Sequence, residues 1–152
     1  MSDIQRFFDE RVPKDWFAGP TTVASDDDEI HCVGRLQPGV ETDAFRENTR
    51  PERMAIAGEA EARFGRKVSW GVERDGVTSM FTTQSTPVMT RLRLPERVVL
   101  DTLIDAGVAR SRSEALAWCV RLVGRHQAEW LADLREALVS VEQARSGGPT
   151  LI

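Results

Sequence analysis

The stretch TRLRLPE, residues 90–96, decides how the second half of the chain is read. Its side chains alternate. Thr90, Leu92 and Leu94 fall on one face of an extended segment, while Arg91 and Arg93, joined by the preceding Met89, fall on the other. Pro95 ends the run, because proline breaks a ladder but suits the first turn of a helix. A strand with one greasy and one cationic face has two readings. Arginines on an exposed edge discourage aggregation, or they are held out for an anionic partner. The residues that follow weigh on that choice.

After Pro95 comes ERVVLDTLIDAGVA. Val99, Leu100, Leu103, Ile104 and Val108 recur at three- and four-residue steps, which predicts an amphipathic helix, and Gly107 stands where a helix commonly ends. RSRSEALAWCVRLV follows. Ser111 and Glu114 have capping-box spacing, and Leu116, Cys119, Val120 and Val123 form a second apolar stripe. Beyond it, GRHQAEWLADLREALVSVEQA keeps a stripe at Leu131, Leu134, Leu138 and Val141, expected to pack on a partner or on the first domain. Gly124 weakens a helix by about 1 kcal/mol relative to alanine, which leaves continuation of the helix, a bend or a break open there.

Strand, proline, helix, short polar loop and serine-capped helix, over residues 88–123, resemble the ribbon-helix-helix family of DNA-binding proteins. The matching pieces are TRLRLPE, DAGVARSRSEAL and the second apolar helix. The resemblance implies a homodimer whose two strands pair into an antiparallel ribbon lying in the major groove of double-stranded DNA, with further oligomerisation on the DNA open. It assigns Met89, Arg91 and Arg93 to base edges and the start of the second helix, Ser111, Arg112 and Ser113, to phosphate. Met89 departs from the polar side chain many family members place there, so base reading rests on the two arginines.

Elementary physics agrees with the resemblance. A lone strand cannot satisfy its own N–H and C=O groups, and a second copy supplies the missing partner. One strand and two helices in ~40 residues also make a thin core. A two-stranded ribbon fits the major groove, where arginine pairs bidentately with guanine O6 and N7. N–H groups at a helix start suit phosphate.

Composition sets the bounds. The chain has 152 residues, 41% hydrophobic and 29% charged, with a formal net charge of −4, an ordinary globular composition. That total hides a gradient. Residues 1–84 carry 11 Lys/Arg against 16 Asp/Glu, residues 85–126 carry 7 against 4, and residues 127–152 carry 2 against 4. The basic excess coincides with the alternating strand, and local sign governs attraction of an anion. No run is apolar enough for a membrane span, and the charged N-terminus lacks the apolar core of a signal peptide. Cys32 and Cys119 lie far apart, which fits reduced cytosolic thiols. A cytoplasmic location is expected.

Residues 1–84 are expected to form a small α/β unit, and match no family we recognise. Strands are predicted at 21–25 and 29–36, joined by the acidic turn Asp26, Asp27, Asp28. One helix is predicted from Pro51, in its first turn, to Gly65. KVSWGVERDGVTSMFTT is predicted as a hairpin turning at Asp75-Gly76. TQSTP, residues 83–87, is expected to be a linker. The fold class is therefore α+β: a domain at 1–84 for sensing, oligomerisation or partner binding, then a ribbon-helix-helix domain at 88–145 with an extended C-terminal helix. A small-molecule or protein effector of the first domain is left unassigned.

Catalysis is not expected. His31 and His126, the two histidines, lie in different parts of the chain, and His31 and Cys32 in one strand would face opposite ways. The acidic run 26–29 matches no calcium loop. No hydrolase, metalloprotease, P-loop or dinucleotide motif is present, and no metal or cofactor is expected. The reading is a homodimeric, sequence-specific DNA-binding protein, a transcriptional regulator of repressor type. The alternatives are a protein-interaction module that uses the fold only to dimerise, or an antitoxin-like autoregulator. The last ranks lower because the DNA-binding part follows a domain expected to be folded.

Overall fold

A computed structural model describes residues 1–150. The chain is a mixed α/β protein with a four-stranded sheet and five helices among the described residues, and it divides into two compact units, Met1–Val88 and a second from Met89 onward. Each is described by itself.

The first unit opens with α1, Asp3–Arg11, a helix the sequence reading missed. Ser2 caps it by accepting the Gln5 N–H at 3.1 Å, and Ile4, Phe7, Phe8 and Val12 supply the apolar face. β1 (Thr22–Ser25) and β2 (Glu29–Arg35) form the expected antiparallel pair. The Asp26 carboxylate closes their turn by accepting the N–H groups of Asp28 and Glu29, both at 2.9 Å. β3 (Lys67–Arg74) and β4 (Val77–Met80) form the expected hairpin, with Asp75 and Gly76 both at positive φ. The sheet order is β1-β2-β3-β4, and β2 and β3 run parallel. Parallel neighbours require a crossover, and α2 provides it.

That helix corrects the expectation of a start at Pro51. α2 spans Thr42–Phe64, with Pro51 inside it. An interior proline removes one ladder hydrogen bond and crowds the carbonyl four residues back. Two side chains add bonds to carbonyls of the preceding turn: Thr49 Oγ1 donates to Phe45 O at 2.7 Å and Arg53 Nη2 to Arg46 O at 2.7 Å. The buried stripe Phe45, Thr49, Arg53, Ile56 and Ala60 runs unbroken past the proline. Burial of that stripe outweighs the local cost of one proline. Gly65, at φ 69°, ends the helix as expected.

The core of this unit is aromatic. Phe7, Phe8, Trp16, Phe17, Phe45 and Trp70 pack edge to face or tilted around Ile30, Cys32, Leu36 and Val72. After β4 the chain stays pinned. Phe81 N–H donates to Trp70 O at 2.8 Å, and Gln84 N–H to Glu29 Oε1 at 3.3 Å. Residues 82–93 carry no regular structure.

The second unit holds α3 (Leu94–Asp105), α4 (Arg112–His126) and α5 (Ala128–Ser146). Two expectations change here. Residues 90–94 form no strand in the single chain, since a strand exists only as part of a pair and the described residues of this unit contain no other extended segment. The final helix is not an extension of α4: the break comes at Gln127, φ −117° and ψ 28°, three residues past Gly124.

Candidate nucleic-acid interface

Leu92 is half-buried against Leu100, Ala109 and Ala115, the three buried residues of the second unit's core. Two hydrogen bonds fix it there. Arg97 Nη1 donates to Leu92 O at 2.7 Å, and Arg93 N–H donates to Glu96 Oε2 at 2.6 Å across the start of α3. The segment before the helix is thus held on the core by its backbone. Arg91 and Arg93, on either side of Leu92, are exposed, and among the described residues neither side chain meets a carboxylate. Met89 is 96% exposed. Leu94, expected on the apolar face with Leu92, instead begins α3 and is 64% exposed.

The turn between α3 and α4 is built by its glycine. Gly107, at φ 79°, lets the N–H of Val108 reach back to Leu103 O at 2.9 Å. Ala109 then drops into the core, and Ser111 caps α4 by accepting the Glu114 N–H at 3.1 Å. The Glu114 carboxylate accepts from Arg110 N–H at 3.1 Å, one residue earlier than the reciprocal bond of a capping box. Helix starts leave N–H groups without intrahelical acceptors, so the backbone at Arg112 and Ser113 keeps its capacity for an anion.

The Arg112 side chain is already engaged along one edge. It forms a two-point pair with Asp101 of α3, Nε to Oδ1 at 2.9 Å and Nη2 to Oδ2 at 3.0 Å. The Asp101 carboxylate raises the Arg112 pKa, and the arginine's hydrogen bonds hold Asp101 below the usual carboxylate range. The pair ties α4 to α3 and competes with the expected phosphate contact of the Arg112 side chain, beside the backbone of Ser111, Arg112 and Ser113. Sequence reading missed Arg97 and Asp101. Arg97 lies one turn into α3 and Asp101 eleven residues before Arg112, spacings that give no local signal.

Exposed apolar surface dominates the rest of the unit. Val98, Val99, Val120, Val123, Trp130, Leu138, Val139 and Val141 are each at least half exposed, and α5 has no buried residue. Of the stripe expected to pack on a partner or on the first domain, Leu134, Leu138 and Val141 are exposed and Leu131 is half-buried.

The first unit contains a cavity of about 750 Å³ lined among others by Phe8, Val12, Lys14, Phe17, Thr21 and Gln37, a volume typical of small-molecule sites. Cys32 is buried, which pushes its thiol up to about 12, so it is no nucleophile at neutral pH. His31 lies on the opposite face of β2, where its Nε2 stands 2.9 Å from Glu29 Oε1. Among the described residues no group of three or more His, Cys, Asp or Glu side chains could hold a metal ion, and no helix is long and apolar enough to cross a membrane.

Two family descriptions match the chain. The N-terminal domain of Rv1265-like proteins covers residues 2–80, and the Mb1296 C-terminal domain covers residues 93–145. Among curated relatives, "Uncharacterized protein Mb1296" of Mycobacterium bovis and "Uncharacterized protein Rv1265" of Mycobacterium tuberculosis are each 53% identical over 163 aligned positions, spanning 99% of this chain and 72% of theirs. No solved structure matches. With more than half its length under the N-terminal domain, and close relatives along nearly all of it, the chain belongs to the Rv1265-like family.

Proposed function

We propose that this protein is a cytoplasmic, homodimeric DNA-binding regulator of repressor type, whose second unit is a ribbon-helix-helix domain. The observation that carries the reading is the state of residues 89–94: Leu92 is anchored on the core while Arg91 and Arg93 stand free on either side. A second copy supplies the strand that each lone segment lacks. It also covers apolar surface on α3 and α4 that a single chain leaves in water. The paired segments then present four guanidinium groups to the major groove. Helix starts at Ser111 sit ready for backbone phosphate. The cavity of the first unit gives such a regulator a place for an effector.

Gel shifts on genomic fragments, at stated salt, test it. Arg91→Ala or Arg93→Ala removes two contacts per dimer, each worth roughly 1–3 kcal/mol of base discrimination. Operator binding should fall steeply while binding to scrambled DNA changes little. Equal loss on both DNAs, or no binding by the wild type, overturns base reading. A second reading, a module that uses the same fold only to dimerise, is favoured by the Arg112–Asp101 pair, which withdraws one cation from any phosphate.

A further inference from the structure

The first unit carries a buried arginine with no acid. Arg53 is 4% exposed, and charged side chains are almost never buried this far unless paired. Its Nε donates to Thr49 Oγ1 at 3.0 Å and its Nη2 to Arg46 O at 2.7 Å, and its guanidinium lies 4.8 Å from the centre of the Phe81 ring. None of these partners is an anion, and among the described residues no carboxylate forms an ion pair with it. The charged neighbours that act on it are Arg46 and Arg50, each of the same sign. Arg46 stands 5.4 Å from the same ring and donates to Phe81 O at 3.3 Å, and Arg50 is exposed one turn further along α2. Two cations thus flank a buried guanidinium, and among the described residues no negative charge offsets the three.

We propose that Arg46, Arg50 and Arg53 form an anion site that holds a phosphate group. Arg53 supports the site from beneath, fixed by its three partners, while Arg46 and Arg50 close on the ligand from the surface. Guanidinium forks suit the oxygens of phosphate. The phosphate has two possible sources, the backbone of bound DNA or a soluble phosphate compound, and the site does not depend on the ribbon reading DNA.

The full-length chain is titrated calorimetrically with inorganic phosphate at constant ionic strength, with Arg50→Gln and Arg46→Gln as variants. Arg50 is the cleaner probe, because it is exposed and outside the contacts that hold Phe81. The wild type should bind phosphate, and Arg50→Gln should weaken it about tenfold, the loss of one charge-assisted contact. The same variants are then compared on DNA across a salt series. If Arg50→Gln also lowers the slope of log affinity against log salt by about one, the source is the DNA backbone. If the slope is unchanged, the source is soluble. Phosphate binding that is absent in the wild type, or equal in all three proteins, overturns the site. Phosphate binding without any DNA binding leaves the site standing and removes the proposed regulator.

Discussion

The two units solve the problem of burying apolar surface in opposite ways. In the first, thirteen buried residues, six of them aromatic, form one core between two helices and a sheet. In the second, α3, α4 and the turn between them share a core of Leu100, Ala109 and Ala115, two of which are alanines, and α5 adds no buried residue. Burial yields about 25 cal/mol per Å² of apolar area, and alanine contributes little of it. Meanwhile Val98, Val99, Val120 and Val123 lie open. The difference teaches that one unit buries its large apolar side chains within a single chain, while the other leaves many of them exposed.

The largest expected effect tests that contrast. Val120 and Val123 are 66% and 50% exposed. If the single chain were the whole structure, changing both to Asp would cost little, since surface substitutions usually fall within about 0.5 kcal/mol. If a second copy covers them, Val120→Asp/Val123→Asp should abolish the dimer in sedimentation and unfold the second unit at low micromolar concentration. The transition of the second unit in urea should also shift with protein concentration in the wild type, by mass action, and that of the first should not. A folded second unit in the monomeric double variant would break the contrast.

A smaller effect belongs to the complete core. A Cβ at Gly34 would lie 2.3 Å from the Phe17 ring, a clash that only displacement of a buried ring can relieve. Gly34→Ala should cost about 1–3 kcal/mol in the first unit's urea transition, independent of concentration. An unchanged midpoint would mean that the Phe17 ring moves freely, and that this core is looser than its aromatic packing indicates.

The same contrast explains what could be read from sequence. The hairpin at Asp75-Gly76, the β1–β2 turn and both helices after Pro95 announce themselves locally, through turn residues, caps and period. Helix α1 was hidden because Asp3, Arg6, Asp9 and Glu10 mask Ile4, Phe7, Phe8 and Val12 when charge is read before spacing. The first half of α2 was hidden by Pro51, whose local cost is outvoted by a tertiary stripe. Parallel pairing of β2 with β3 is long-range and has no local mark. At the candidate interface the free arginines were legible as alternation. The commitment of Arg112 was not, since Asp101 reaches it only once α3 and α4 pack.

Acid should weaken the first unit more gently than these substitutions do. Burial pushes the Glu29 carboxyl up, but hydrogen bonds from Ser69, His31 and Gln84 N–H outweigh it and leave its pKa lowered. A carboxyl whose pKa is lower folded than unfolded adds stability that is present above the unfolded value and is lost as pH falls through the folded one. The first unit should therefore weaken below the ordinary glutamate range. Glu29→Gln should be less stable than wild type at pH 7 and show a shallower decline in acid, read by urea unfolding over a pH series. Parallel acid curves would place the sensitivity elsewhere.

The smallest expected effect falls on Arg112, which pairs with Asp101. A free guanidinium at the start of α4 would contact DNA phosphate, and its loss would lower the salt slope by about one unit per contact. Arg112, however, pairs the Nε–Nη2 edge of its guanidinium with Asp101, so the two side chains together carry no net charge. Arg112→Ala should then leave the salt slope on DNA nearly unchanged. Asp101→Asn sharpens the point in the other direction. It removes the negative partner and frees the guanidinium, so the slope should steepen by about one per released arginine, with tighter binding to operator and scrambled DNA alike, because phosphate carries no sequence information. If Arg112→Ala instead flattens the slope, DNA has pulled Arg112 away from Asp101, and the helix start binds phosphate through side chain as well as backbone. The second unit would then rearrange on its ligand, whereas the aromatic first unit has no comparable freedom.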